Sequence, residues 1–103
     1  MDMFSALADP TRRNILQILA SKGQLSATDI SNKFTISPPA ISQHLKILRE
    51  SKLVDMEKHA QQRLYQLNSQ QLSEFENWIK KLTHRWEERF SEIDKILERE
   101  RGR

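Results

Sequence analysis

The chemically most distinctive stretch of this sequence lies between Ser37 and Arg49, which contains hydroxyl, amide and cationic side chains and no carboxylate. An amide such as that of Gln43 pairs with an adenine edge, and cations bind phosphate or guanine. A helix with such groups on one side has the chemistry needed to enter the DNA major groove. A solvated helix face is the alternative, because polar helix faces are common. The candidate DNA-binding residues are Ser37, Pro38, Pro39, Ser42, Gln43, Lys46 and Arg49.

A second acid-free stretch, from Lys58 to Arg63, combines two cations, a histidine and two glutamines. Residues 54–58 and 63–67 read as short strands on either side of it, which predicts a β-hairpin with this stretch at its tip. The tip suits a position beside the DNA backbone or in the minor groove, whereas an ordinary exposed turn is the alternative. The candidate contact residues at this tip are Lys58, His59, Gln61, Gln62 and Arg63.

The elements that position these residues begin at recognisable capping residues. Ser26 and Ser37 have the pattern of helix N-caps, which predicts helices at about 27–34 and 38–51, joined by the three-residue turn 35–37. That turn length is typical of a helix-turn-helix unit. The second helix has apolar residues at i, i+4 and i+7 that must face the core and leave the candidate residues outside. These apolar residues are Ile41, Leu45 and Leu48.

The amino-terminal part is predicted to form two helices. Asp9 and Pro10 have the form of an N-cap and a first helical residue, and the helix runs to about Ser21. Gly23 suits the left-handed cap at its end. A shorter helix, 3–8, precedes it and offers apolar side chains on one face.

A single helix of about 30 residues is predicted from Ser69 to about Glu100 by an apolar stripe with steps of 4, 3, 4, 4, 3 and 4 residues. It would extend about 45 Å, which is longer than a domain of this size covers, so part of the stripe should pair with a second copy. Packing against its own core is the rival explanation. The candidate homodimer interface consists of Met3, Phe4, Leu7, Phe75, Ile79, Leu82, Trp86, Phe90, Ile93 and Leu97.

Composition restricts the class of protein. The chain of 103 residues suits one domain, residues 1–103, with amino-terminal helices (1–24), a helix-turn-helix (26–51), a wing (54–67) and a terminal helix (69–100). Residues 1–68 contain nine basic and six acidic residues, and the remainder is neutral, so the first two thirds permit a polyanionic partner. The absence of cysteine excludes disulfides and thiolate chemistry. No signal peptide or membrane span is predicted, and a cytoplasmic location is expected.

Taken together, these patterns resemble the ArsR-type winged-helix transcriptional repressors of bacteria and archaea, over essentially the whole chain. The resemblance implies a mainly α fold with a small β-hairpin: five helices and a two-stranded wing, dimeric through the terminal helices. It also implies that the helix beginning near Ser37 reads DNA and that the hairpin is the wing. The segments that carry it are Leu7–Arg13 with Ile15-Leu16, Ile41–Leu48, Leu53-Val54 and Arg63–Leu67.

The chain departs from that family pattern in three places. Metal-sensing members have a Cys-x-Cys-type motif where this sequence has Ser26–Ser31, so thiolate metal sensing is absent. The segment Trp86–Phe90 resembles the corresponding segment of a subgroup without metal sites. His84 is the only histidine near Glu87 and Glu88, which favours a solvated face, and we expect neither a metal nor another cofactor. Lys52 stands where glycine commonly ends the recognition helix, and the wing tip also lacks glycine.

The function favoured by the sequence is a repressor that binds double-stranded DNA at a palindromic operator as a homodimer. The alternative is a module of the same fold that binds a protein partner. An enzyme is not expected, because His44, His59 and His84 lie on separate elements with no carboxylate placed to orient them. No residue pattern identifies a small-molecule or metal effector.

Overall fold

A computed structural model describes residues 2–101 of the chain, so the domain limits expected at residues 1 and 103 lie outside the described part. The helices are α1 (Met3–Leu7), α2 (Pro10–Lys22), α3 (Ala27–Ser31), α4 (Pro38–Glu50) and α5 (Ser69–Arg101). The strands are β1 (Leu25–Ser26), β2 (Val54–His59) and β3 (Gln62–Leu67), and they form one antiparallel sheet in the order β1-β3-β2. The predicted winged helix-turn-helix fold with five helices and a hairpin is confirmed.

Two compact units make up the chain, the first ending at Gln71 and the second, helical, beginning at Leu72. In the first unit α2 packs against β3 and α4, and α3 packs against α4 and β3. No helix within residues 2–101 combines the length and the apolar composition needed to cross a membrane. The buried apolar side chains that form the core are Ala6, Ile15, Leu19, Ile30, Ile41, Leu45, Leu48, Leu53, Val54 and Tyr65.

All five helices begin in the same way, with a short side chain that accepts the backbone N–H three residues later. Asp9, Ser26 and Ser37, which the sequence predicted as caps, accept N–H groups at 3.0, 3.0 and 3.3 Å. Asp2 and Asn68 do the same for α1 and α5 at 2.7 and 3.0 Å. Each such cap stabilises a helix start by about 1 kcal/mol, so the helix boundaries are encoded locally.

The connection between α3 and α4 differs from its prediction. The helix expected to reach Phe34 ends at Ser31, and the turn expected at 35–37 occupies 32–37. After Asn32 the N–H groups of Lys33 and Phe34 donate to carbonyls three residues back, at 3.1 and 3.2 Å. Such bonds are typical of a 3₁₀ turn, which is tighter than an α-helix.

A third strand, which the sequence analysis did not predict, joins the hairpin to the helical layer. In β1, Leu25 pairs with Tyr65 and Ser26 pairs with Leu64. Two residues are too short to produce the apolar alternation by which strands are recognised. The stem of the wing is therefore fixed to the segment that begins α3.

The buried Arg12 connects three helices. Its side chain is in α2 and only 8% of the residue is exposed. Its Nε donates to the Ala6 carbonyl (2.7 Å) and its Nη2 to the Ser5 carbonyl (3.2 Å), both in α1. Its Nη1 lies 3.3 Å from Nδ1 of His44 in α4. Because a guanidinium only donates, the His44 nitrogen accepts this hydrogen bond. His44 thus has a packing and positioning role.

The end of α4 uses a left-handed residue to reverse the chain. Lys52 has φ 65°, its N–H bonds to the Arg49 carbonyl (3.0 Å), and the Leu53 N–H bonds to the Leu48 carbonyl (3.0 Å). This is a Schellman motif, and its apolar contact is made by Leu48 and Leu53, both fully buried. At the end of α2, Gly23 has φ 85°, where an added Cβ would meet nothing within 4 Å.

These two helix ends give a paired prediction for stability. Lys52→Gly should raise the free energy of unfolding by up to about 1 kcal/mol, because it removes left-handed strain at a non-glycine residue. Gly23→Ala should lower it by about 1 to 2 kcal/mol through backbone strain alone, since there is space for the methyl group. Urea denaturation of both variants measures the changes, and a destabilised Lys52→Gly protein would contradict this account.

The Asp9 carboxylate predicts a dependence of stability on pH. The Arg12 backbone N–H that the carboxylate accepts, followed by the nearby Arg12 side chain, lowers the pKa of Asp9 below 3.8 against the opposing effect of burial. The stabilisation is therefore fully present above the unfolded pKa and is lost as the pH falls through the lower folded pKa. In denaturation from about pH 7 to about pH 2, wild type should exceed Asp9→Asn in stability at the upper end only.

A suitable control for this comparison is Glu98→Gln, which removes an exposed carboxylate far along α5. Its stability should follow that of wild type at every pH. A gap between wild type and Asp9→Asn that persists unchanged at about pH 2 would contradict the assignment.

Candidate nucleic-acid interface

The burial of the apolar face of α4 determines which residues the opposite face exposes. Ile41, Leu45 and Leu48 are buried, which fixes the rotation of the helix. The predicted DNA-binding residues of this segment are all exposed: Ser37, Pro38, Pro39, Ser42, Gln43, Lys46 and Arg49.

Part of that outer face borders a cleft of about 470 Å³ between α4 and the wing. The cleft lining contains three cations and no carboxylate, so its electrostatic potential favours an anion. The residues that line it are Ala27, Pro39, Ser42, Gln43, Lys46, Arg49, Arg63 and Tyr65.

The three cations of the cleft have no counterions among residues 2–101. None of Lys46, Arg49 and Arg63 takes part in an ion pair with any residue in the range 2–101. Their positive charge is therefore available to a ligand. Because ammonium and guanidinium groups only donate hydrogen bonds, that ligand must supply acceptors.

The wing residues predicted to bind DNA are divided between two faces of the hairpin. Lys58 pairs with Arg63 and His59 pairs with Gln62 in the β2–β3 register. Directly opposed residues share a face and successive residues alternate, so Lys58 and Arg63 lie on the face that includes Tyr65. His59 and Gln62 lie on the opposite face, and the sequence analysis did not separate these two groups.

The tip of the wing is tighter than the sequence indicated, with a two-residue turn at Ala60 and Gln61. Ala60 has φ 54°, a conformation that the first turn residue of a type II′ hairpin requires and that glycine usually provides. On the face away from the cleft, His59 Nε2 lies 3.2 Å from Oε2 of Glu57. A carboxylate therefore accompanies the predicted wing contacts on that face.

Tyr65 and Ala27 line the cleft although the sequence analysis did not assign either to it. Tyr65 packs inward, with 6% of the residue exposed. The signal for its second role was its two-residue spacing from Arg63, which places both on one face of the strand. Ala27 comes to the cleft through β1 and the start of α3, which the sequence did not connect with the wing.

The apolar stripe along α5 is exposed for most of its length. Ile79, Leu82, Trp86, Phe90, Ile93 and Leu97 are between 41% and 66% exposed, with Trp86 the most exposed. Trp78 and Ile96, which were not among the predicted interface residues, are 48% and 55% exposed. Of the remaining predicted residues, Phe4 is 53% exposed and three are half-buried, namely Met3, Leu7 and Phe75.

His84 on α5 pairs with Glu88 at 2.9 Å. No group of three or more His, Cys, Asp or Glu side chains within residues 2–101 is arranged to hold a metal ion. The His84–Glu88 contact is therefore an exposed side-chain contact of the i,i+4 type on the helix surface.

Comparison with known proteins agrees with this architecture. Residues 9–56 match the family described as bacterial regulatory protein, arsR family. The transcriptional repressor SdpR of Bacillus subtilis is 40% identical over 78 residues, which cover 76% of this chain and 86% of SdpR. The arsenical resistance operon repressor of Staphylococcus xylosus is 39% identical, over 64% of this chain and 62% of that repressor.

Solved structures show the same similarity in three dimensions. An ArsR-like transcriptional regulator from Rhodococcus sp. RHA1 superposes with a TM-score of 0.79 at 28% identity, covering 90% of this chain and 87% of that one. The similarity therefore extends over the helix-turn-helix, the wing and a large part of α5. The chain belongs to the ArsR family of winged helix-turn-helix transcriptional regulators, which are DNA-binding proteins and not enzymes.

Proposed function

We propose that this protein represses transcription by binding a palindromic operator as a homodimer. The observation that carries the proposal is the acid-free cleft between α4 and the wing, where three cations have no partner within residues 2–101. The name of SdpR, a transcriptional repressor, supports the direction of regulation. The proposed function places the protein in the cytoplasm, with the chromosome.

In the proposed complex α4 enters the major groove. Gln43 is exposed beside the cleft and has the amide that forms two hydrogen bonds with an adenine edge. Lys46, Arg49 and Arg63 contact the phosphate backbone, which supplies much of the affinity without reading sequence. Two copies of α4, about 34 Å apart in successive major grooves, then read the two halves of a palindrome.

The homodimer is proposed to form through the α5 stripe. The steps of 4, 3, 4, 4, 3 and 4 residues repeat every 11 residues, with Phe75, Trp86 and Leu97 at equivalent positions. An 11-residue repeat gives about 3.67 residues per turn, so the stripe stays on one face of a nearly straight helix. Six large apolar side chains that are each at least 41% exposed favour a partner of the same kind, because monomeric proteins rarely expose so continuous an apolar surface.

The DNA-binding function is tested with genomic fragments that the protein selects. Gel-shift titration should show affinity that falls steeply with salt, and Gln43→Ala should lose about 1 to 3 kcal/mol of discrimination at one base pair in each half-site. Lys46→Gln should instead weaken binding to all sequences alike and reduce the salt slope by about 1 for each subunit. A control is Lys22→Gln, an exposed lysine at the end of α2, which should bind like wild type.

Two results would count against the proposed function. Equal binding of random duplex and selected fragments would remove sequence specificity. A complete lack of retardation, together with a stable complex with another protein, would favour the interaction module.

The dimer is tested by charge insertion at the middle of the stripe. Trp86→Glu should sediment as a monomer at concentrations where wild type is a dimer, and its affinity for a palindrome should fall by roughly a hundredfold or more. Lys95→Glu is the matched control, because nine residues place Lys95 on the side of the helix opposite Trp86. Wild type that sediments as a monomer, or Trp86→Glu that remains a dimer, would contradict the proposed interface.

A further inference from the structure

Tyr65 combines a buried ring with a polar atom that has no partner among residues 2–101. The residue is 94% buried, since only 6% is exposed, and it belongs to the core. Its hydroxyl makes no hydrogen bond with any residue in the described part of the chain. Within that part no fully buried side-chain oxygen or nitrogen lacks a partner, so the Tyr65 oxygen must retain accessible surface.

The accessible surface of Tyr65 opens on the cleft. The residue lines the cleft together with Arg63, and the two lie on the same face of β3. Lys46 and Arg49 border the same space from α4. Tyr65 and three cationic residues therefore line one volume, with the short side chain of Ala27 at its edge.

The chemistry of this lining selects the ligand. Ammonium and guanidinium groups donate only, and a phenolic hydroxyl beside them can donate as well. An anion with several acceptor oxygens satisfies all of these donors at once and also neutralises their charge. A DNA backbone phosphate has two non-bridging oxygens and is the group that the neighbouring face of α4 would meet.

We propose that the Tyr65 hydroxyl donates a hydrogen bond to a DNA backbone phosphate that is held in this cleft by Arg63 from the wing and Lys46 from α4. The inference depends on the proposed DNA-binding function and adds a contact residue to it. One phosphate is bound by residues of both the wing and α4, so the contact fixes the depth and the register of α4 in the groove. Because phosphates are common to all sequences, the contact contributes affinity and no base discrimination.

The test is Tyr65→Phe, which removes the hydroxyl and keeps the buried ring. The variant should unfold at the same temperature as wild type, because the hydroxyl has no protein partner. Its affinity should fall about tenfold on the operator and on random duplex alike, since hydrogen bonds to charged groups are the stronger class. The controls are Ser21→Ala, which removes an exposed hydroxyl from α2 and should bind like wild type, and Arg63→Gln, which should weaken both duplexes.

The phosphate itself is identified with operators that carry a single neutral methylphosphonate at successive positions. One position in each half-site should weaken wild type, and both Tyr65→Phe and Arg63→Gln should lose much of their sensitivity at that same position. Tyr65→Phe that binds like wild type, that loses affinity for the operator alone, or that keeps full sensitivity at every position overturns this inference. Wild type that binds no duplex overturns the proposed function as well, so the two failures are distinguishable.

Discussion

The arrangement of the amino-terminal unit depends on the burial of one positive charge. The Arg12 guanidinium, almost removed from solvent, is stabilised by two carbonyls of α1 and by a ring nitrogen of His44. A charge in this position is tolerated only if its donors are satisfied, so α1 and α4 must both be in place. α1 has five residues and would not form in isolation. The Arg12 side chain donates hydrogen bonds to the last carbonyls of α1. His44 adjoins Gln43, and the same contact therefore fixes which side of α4 faces outward.

Charge separation between surfaces follows from strand alternation and helix periodicity. The inner stripe of α4 is apolar, and the outer residues of α4 that line the cleft include cations and no carboxylate. On the hairpin, alternation places Arg63 beside the cleft and leaves the Glu57–His59 pair on the other side. The Glu57 carboxylate is thus kept away from the face that adjoins α4, although Lys58 is the next residue in sequence and Arg63 follows six positions after Glu57.

Features encoded by neighbouring residues were predictable, and features that depend on distant contacts were not. The caps at Asp9, Ser26 and Ser37 and the buried stripe of α4 were predicted because both depend on spacings of three or four residues. β1 was not predicted, because its two residues are ordered by pairing with β3, which lies 38 positions away for Ser26 and 40 for Leu25. The cleft joins α3, α4 and the wing, so Tyr65 could be predicted only as a core residue. The contact of the site residues with DNA stays a prediction.

The alanine at the tip of the wing has a consequence for association. Glycine at Ala60 would let the hairpin tip visit many conformations in the free protein, all but a few of which would have to be lost on binding. The methyl group of alanine reduces the number of conformations that the tip can adopt. The energetic cost of φ 54° arises during folding, when the ladder between β2 and β3 forms. In the proposed complex with DNA, such a wing would already have its bound shape and would lose less conformational entropy on binding.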